Sequence, residues 1–239
     1  RDWSSDVCSS DLNRYGRTPK MHSADNSEVS RTELVLNANG EIEGTTKATM
    51  SGTLEINRRF AYLAGLTNRM DTTINELLLR FNEIGRGHLE VTASSKTDLP
   101  YRWDSQFSLE PIADLKRSGA FLIPVGATPG YIAEKTLHKP LDKREFPFVC
   151  ESVTAEDHVT LKLPENIEIE SIPADVTHQS AHVRYTARYQ QIPGALKVER
   201  QLVFDYPSRK CPAAYQAEVV EASRVIRADF KSAVVFRAK

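Results

Sequence analysis

The chain has 239 residues, with 31 lysines and arginines against 32 aspartates and glutamates and a formal net charge of −1. Such a length permits one large domain or two modest ones, each with ample core. The even balance offers no single-sign field to draw nucleic acid or anionic lipid, and no apolar run approaches the ~18 residues of a membrane span.

Residues 1–12, Arg1-Asp-Trp-Ser-Ser-Asp-Val-Cys-Ser-Ser-Asp-Leu12, resemble the conceptual translation of a sequencing-library adapter, and there is no initiator methionine. The stretch is rich in Ser and Asp and has no period that would bury one face. It is set aside from fold reasoning, and Cys8 with it. Asn13 to Ser30 is also polar, so residues 1–30 are expected to be an artefactual, disordered segment.

Thr32–Leu36 reads as a strand, Asn37-Ala-Asn-Gly40 as a turn with the Asn-Gly hairpin signal at its tip, and Glu41–Ser51 as the Thr-rich return strand. Ile56, Phe60, Leu63, Met70, Ile74, Leu77 and Phe81 then step by three or four, apart from a gap at Thr67, and predict the apolar face of one bent helix or two in succession. Asp71-Thr-Thr73 resembles a second start, and Gly85-Arg-Gly87 an end. His88–Ala93 and Tyr101–Leu109 are further strands, the latter with Tyr101, Trp103, Ser105, Phe107 and Leu109 on one face. Residues 31–115 thus read as a β-β-α-β-β, α+β domain. The boundary to residues 116–239 falls near 111–118.

In the second part, strands are expected at Phe146–Cys150, Val159–Leu163, Glu165–Ile172, Ala181–Tyr189 and Leu196–Phe204. Val183, Tyr185, Ala187 and Tyr189 alternate with His182, Arg184, Thr186 and Arg188, which sends one set inward and the other to water. Gln190-Gln-Ile-Pro-Gly194 supplies a loop of five residues or slightly more. A helix from Pro212 to about Asp229 carries Tyr215, Val219, Ala222, Ile226 and Phe230 on one stripe, and Val234–Phe236 returns as a strand. The fold class is α+β and β-rich: antiparallel sheets, with a β-sandwich-like second domain closed by a carboxyl-terminal helix.

Few residues point to chemistry. The histidines are His22, His88, His138, His158, His178 and His182, and none has the helical i, i+4 spacing of a zinc site; His178 and His182 are four apart, but on a turn-to-strand segment. Gly85-Arg-Gly87 lacks the rest of a phosphate loop. Glu165, Glu168 and Glu170 read as a solvated strand edge. Cys150 and Cys211 remain. A disulfide between them would close a loop of about 60 residues, worth about 4 kcal/mol in the chain-entropy view, and needs an oxidising compartment. Small buried residues or unpaired thiols account for them equally well. Cys211 beside a helix start, or Cys150, could instead be a nucleophile, yet neither has a His and Asn/Asp companion motif. Trp103 and Tyr131, if exposed, would fit a carbohydrate-binding sandwich.

The order of pieces is more distinctive than any one of them. Glu43-Gly-Thr-Thr-Lys-Ala-Thr-Met-Ser-Gly52 precedes Arg58-Arg59-Phe60; then come Arg144-Glu-Phe-Pro-Phe148, Leu161-Lys-Leu-Pro164, Ile172-Pro173, Leu196-Lys-Val-Glu-Arg200, Tyr215 and Ile226-Arg-Ala-Asp-Phe230. Residues 31–239 in this order resemble the carboxyl-terminal region of bacterial transglutaminase-like proteins that carry flanking domains of unknown function. The resemblance implies an exported protein, periplasmic or extracellular. It also implies an upstream Cys-His-Asp core as intramolecular partner, and an envelope protein or peptide as a further one. The core's nucleophile motif has no counterpart here, since Cys211 is followed by Pro212-Ala-Ala-Tyr215. No catalytic residue, cofactor site or metal site is therefore assigned, and the expected role is noncatalytic.

Overall fold

A computed structural model of the chain describes residues 7–9, 15–17, 22–65, 70–93, 96–128, 130–137 and 139–239; for 7–9, 15–17, 61–65 and 70–73 only the backbone course is described. The adapter-like stretch, Leu66-Thr-Asn68 and His138 thus lie wholly or mostly outside the described residues. Short strands β1 (Val7–Ser9) and β2 (Tyr15–Arg17) pair with each other. Then follow β3 (Ser27–Leu36), β4 (Ile42–Met50), α1 (Gly52–Gly65), α2 (Met70–Arg80), β5 (Gly85–Val91), β6 (Tyr101–Leu109) and β7 (Gly119–Leu122). The remainder comprises α3 (Tyr131–Leu137), β8 (Phe148–Val149), β9 (Val153–Lys162), β10 (Ile167–Ser171), β11 (Val176–Gln179), β12 (Val183–Ile192), β13 (Ala195–Phe204), β14 (Lys210–Cys211), α4 (Gln216–Asp229) and β15 (Ala233–Ala238).

The molecule is strand-rich and sandwich-like. An eight-stranded sheet has the order β11-β12-β13-β9-β3-β4-β6-β5, and a three-stranded one the order β10-β15-β7. Neighbours are antiparallel except β3 and β9, which run parallel from Ser27↔Thr154 to Val35↔Lys162. The large sheet is therefore mixed where purely antiparallel pairing was expected. It also spans residues on both sides of the expected boundary at 115/116. β3 begins at Ser27 rather than Thr32, because Ser27–Arg31 find partners on β9 as well as β4.

One face of the large sheet is buried and the other is wet, which is the strict alternation of β4 and β6 read in space. Tyr101, Trp103, Ser105, Phe107 and Leu109 all lie inside, as do Val183, Tyr185, Ala187 and Tyr189. Over this face, α2 packs on β5, α3 on β9, and α4 on β11 and β12. Val234, Phe236, Phe121 and Ile167 of the small sheet join the same apolar core.

Several local expectations change. The β12–β13 hairpin has a two-residue loop, since Ile192 already pairs with Ala195. Pro193 presets its own φ, and Gly194 takes φ +70°, the arrangement of a type II turn. Gln190, Gln191 and Ile192 are strand, prolonged by that ladder. The second helix stops at Arg80, not at Gly85. Asn82 takes φ +60° and the Glu83 amide returns to the Leu78 carbonyl, a left-handed cap that asparagine tolerates. Ile56 and Phe60 face solvent at 63% and 71% exposure. The inner side of α1 is instead Leu54 and Arg59, whose guanidinium donates to Glu55 and to the carbonyls of Ala93 and Leu99. A short helix, α3, starts at Tyr131 and was not foreseen.

Candidate functional site

Cys150 and Cys211 are joined as a disulfide with Cα atoms 5.9 Å apart. The bond sits where β8 and β14 pair, and both residues are buried. Neither sulfur is a thiol in this state, so neither can attack a carbonyl.

The histidines are dispersed. His88 is exposed near Glu90, and His158 lies by Glu156 on the wet face of β9. His178 opposes Tyr185 across the β11–β12 ladder, and its Nε2 is buried with no hydrogen-bond partner. His182 is the most organised. Its Nδ1 lies 2.9 Å from Glu218 Oε1, its backbone N–H donates to the other carboxylate oxygen, and Ser180 Oγ donates there too. Its ring is 4.2 Å from that of Tyr215 and 5.6 Å from that of Tyr206. Burial pushes the Glu218 carboxyl upward, but the Ser180 and His182 hydrogen bonds outweigh it and hold the group below its ordinary range. These contacts tie the start of α4 to the sheet. Among the described residues, no three His, Cys, Asp or Glu side chains gather closely enough to hold a metal ion.

A charged network lies in the core. Arg200 occupies an inward position of β13, where the alternation Leu196, Val198, Leu202, Phe204 would otherwise place a hydrophobe. Its Nε donates to Asp229 Oδ2 at 2.8 Å, and its Nη1 approaches Asp157 Oδ2 at 3.3 Å. Tyr185 and Tyr189 donate to the two oxygens of Asp229, each at 2.7 Å. The Phe230 ring lies 4.2 Å from the guanidinium. Burial drives both phenol pKa values far up, so both hydroxyls remain donors. Every charge here has a partner, which is what a buried charge requires. The arrangement fastens α4 to β12, β13 and β9.

Open space lies elsewhere. A cleft of about 710 Å³ opens between the end of α2, the corner after β6, the run Leu122–Val125 after β7, and the ends of α3 and α4. Its walls include Leu109, Ile112, Ile123, Leu137 and Phe230, and Arg80, Arg227 and Lys231 stand around them. Glu83 closes one side. Its oxygens accept the backbone N–H groups of Val125 at 2.6 Å and Gly126 at 2.9 Å. Burial still lifts its pKa to about 7, against the lowering by those two bonds. The cleft combines an apolar lining with a few convergent polar groups, as binding sites do.

Residues 119–232 match the family model of DUF3858, a domain described as of unknown function with a solved structure. Compared as a whole, the chain matches no curated protein and no solved structure. The matched segment starts with β7 and ends just past α4, so it contains the disulfide and both the Arg200 and His182 networks with their carboxylate partners Asp157, Asp229 and Glu218. The cleft straddles the edge of the match: Leu122–Val125 and Arg227–Lys231 fall inside the matched segment, and Arg80–Ile84 and Leu109–Ile112 precede it.

Trp103 is buried, donating its indole N–H to the Ala127 carbonyl, and the Tyr131 ring is part-buried under the Lys135 ammonium at 4.0 Å. Neither offers a free stacking face for a sugar. Sequence reasoning passed over Arg200, Asp229 and Glu83. For Arg200 a signal existed, a charged residue on the apolar beat of a strand. For Glu83 there was none, since it follows a helix like any solvated glutamate.

Proposed function

We propose that the chain is a noncatalytic accessory region of an exported transglutaminase-like protein, which supports a Cys-His-Asp core or presents a substrate to it. The Cys150–Cys211 disulfide carries this reading. It occupies the two thiols that an enzyme of this chain would have drawn on, and such bonds persist in oxidising compartments, which favours a periplasmic or extracellular site. The locked state of Arg200, Asp229, His182 and Glu218 supports the same view, since each already satisfies a structural partner. The order of motifs along residues 31–239 supports the transglutaminase-like context, and the DUF3858 match agrees with its flanking-domain part.

The purified chain is tested for thiol-dependent amide hydrolysis and for transfer of glutamine acyl groups to a fluorescent amine, with Cys150→Ala and Cys211→Ala as controls. The expected result is no turnover above buffer, with or without reductant. Turnover that vanishes in either variant would reverse the assignment in favour of a thiol enzyme.

A further inference from the structure

We propose that the cleft receives an acidic, extended peptide segment, which adds a strand to the outer edge of β7. Strand β7 ends the order β10-β15-β7, so among the described residues one of its edges has no strand beside it. Edges of this kind are normally blunted by lysine, proline, a bulge or a covering element. Gly119-Ala-Phe-Leu122 carries no charge and no proline, and Gly119, Ala120 and Leu122 are exposed, Leu122 at 48%. Across the ladder, Ala120 pairs with the exposed Val235, so the edge strand presents an apolar strip. Beyond Leu122 the same backbone becomes the wall of the cleft. A peptide laid along β7 would run directly into that space, gaining main-chain hydrogen bonds from the strand and side-chain contacts from the cleft.

Charge selects the occupant. Arg80, Arg227 and Lys231 line the cleft against Glu83 and Glu110; Arg80 lies 3.8 Å from Glu134, while among the described residues Arg227 and Lys231 have no carboxylate partner. Glu83, a half-buried carboxylate of the wall, is already turned to two backbone amides. Acidic side chains on the incoming strand would neutralise this rim, and like charges would be repelled by it. The assignment rests on the reading of the chain as a noncatalytic binding scaffold and gives that scaffold a place and a ligand class.

The test uses a short fluorescein-labelled peptide alternating Glu and Val, and its Lys/Val counterpart, titrated into the full chain by fluorescence anisotropy. The Glu/Val peptide should bind, the Lys/Val peptide should not, and Arg227→Glu combined with Lys231→Glu should weaken binding by roughly tenfold or more. Arg227→Gln with Lys231→Gln gives the same comparison should charge reversal disturb folding. Bound peptide should also slow hydrogen exchange at the amides of residues 119–122, and Leu122→Ser should weaken it. Equal binding of both peptides, no binding of the acidic one, indifference to both double variants, or unprotected β7 amides would each overturn the proposal. So would self-association of the chain that Leu122→Ser abolishes, since a second copy would then be the occupant. The turnover assay above is read separately: activity there sinks the scaffold reading, and failure to bind peptide with no activity sinks only the cleft assignment.

Discussion

Removing the Asp229 carboxylate should unfasten α4 from the sheet. In Asp229→Ala, Tyr185 and Tyr189 lose acceptors that now lie at 2.7 Å, and Arg200 loses its 2.8 Å carboxylate, keeping Asp157 at 3.3 Å and the Tyr189 hydroxyl at 3.1 Å. Arg200 and Asp229 are 5% and 2% exposed, so water cannot simply replace the lost contacts. Breaking a buried pair by deleting one partner costs about 3–5 kcal/mol. At this chain length each kcal/mol moves the melting temperature by about 2–4 °C, so the drop should be roughly 6–20 °C. Differential scanning calorimetry reads it directly. A double-mutant cycle with Tyr185→Phe should be non-additive by about 1 kcal/mol, because both changes act on one network. Replacing the pair together, Arg200→Met with Asp229→Leu, should recover part of the loss, since the only charge then left without its counterion is the less buried Asp157, which still accepts from Ser30. A melting temperature for Asp229→Ala within about 2 °C of the parent would refute the network's structural role.

Reducing the Cys150–Cys211 bond, or replacing both residues by Ala, should cost about 4 kcal/mol for a separation of 61 residues, read as a lower urea midpoint in the presence of reductant. Ile226→Asp places a carboxylate at a fully buried position of α4 and should abolish the cooperative melt; an unchanged curve would contradict the packing of that helix. Glu28 supplies a pH dependence. Burial raises its pKa from 4.5 to about 7, against the lowering by Arg58 and the Tyr131 N–H. The folded form keeps the proton where the unfolded chain has released it, so stability should fall as pH rises from 4.5 to 7, by about 3 kcal/mol from this group. Glu28→Gln should flatten that slope in urea titrations at pH 5 and pH 8; an identical slope would count against the buried carboxyl. Glu83 is tied to the cleft wall and should act in the same direction.

Strand β6 was readable because both of its signals are local: alternation from Tyr101 to Leu109 and a matching burial of every second residue. The Asn39-Gly40 hairpin was readable for the same reason, with Gly40 at φ +91°. Helix α1 misled, because counting apolar residues at helical spacing cannot see that Arg59 will turn inward to cap two carbonyls. The parallel β3–β9 contact left no trace, as register between distant strands is set by the whole core. The same holds for the candidate site. The cysteines could be named as a pair, but the cleft is assembled from five separate stretches and has no motif of its own.

The adjacency of β3 and β9 has a consequence for biosynthesis. Ser30 and Asp157, which bond across these strands, are 127 residues apart in the chain. At ribosomal speeds of about 5–20 residues per second, the amino-side flank of β3 waits roughly 6–25 s for its neighbour. During that interval the hairpin β3–β4 offers a long unpaired border to any passing strand. Holding factors that shield nascent chains would therefore matter more for this protein than for one whose strands meet in the order they are made.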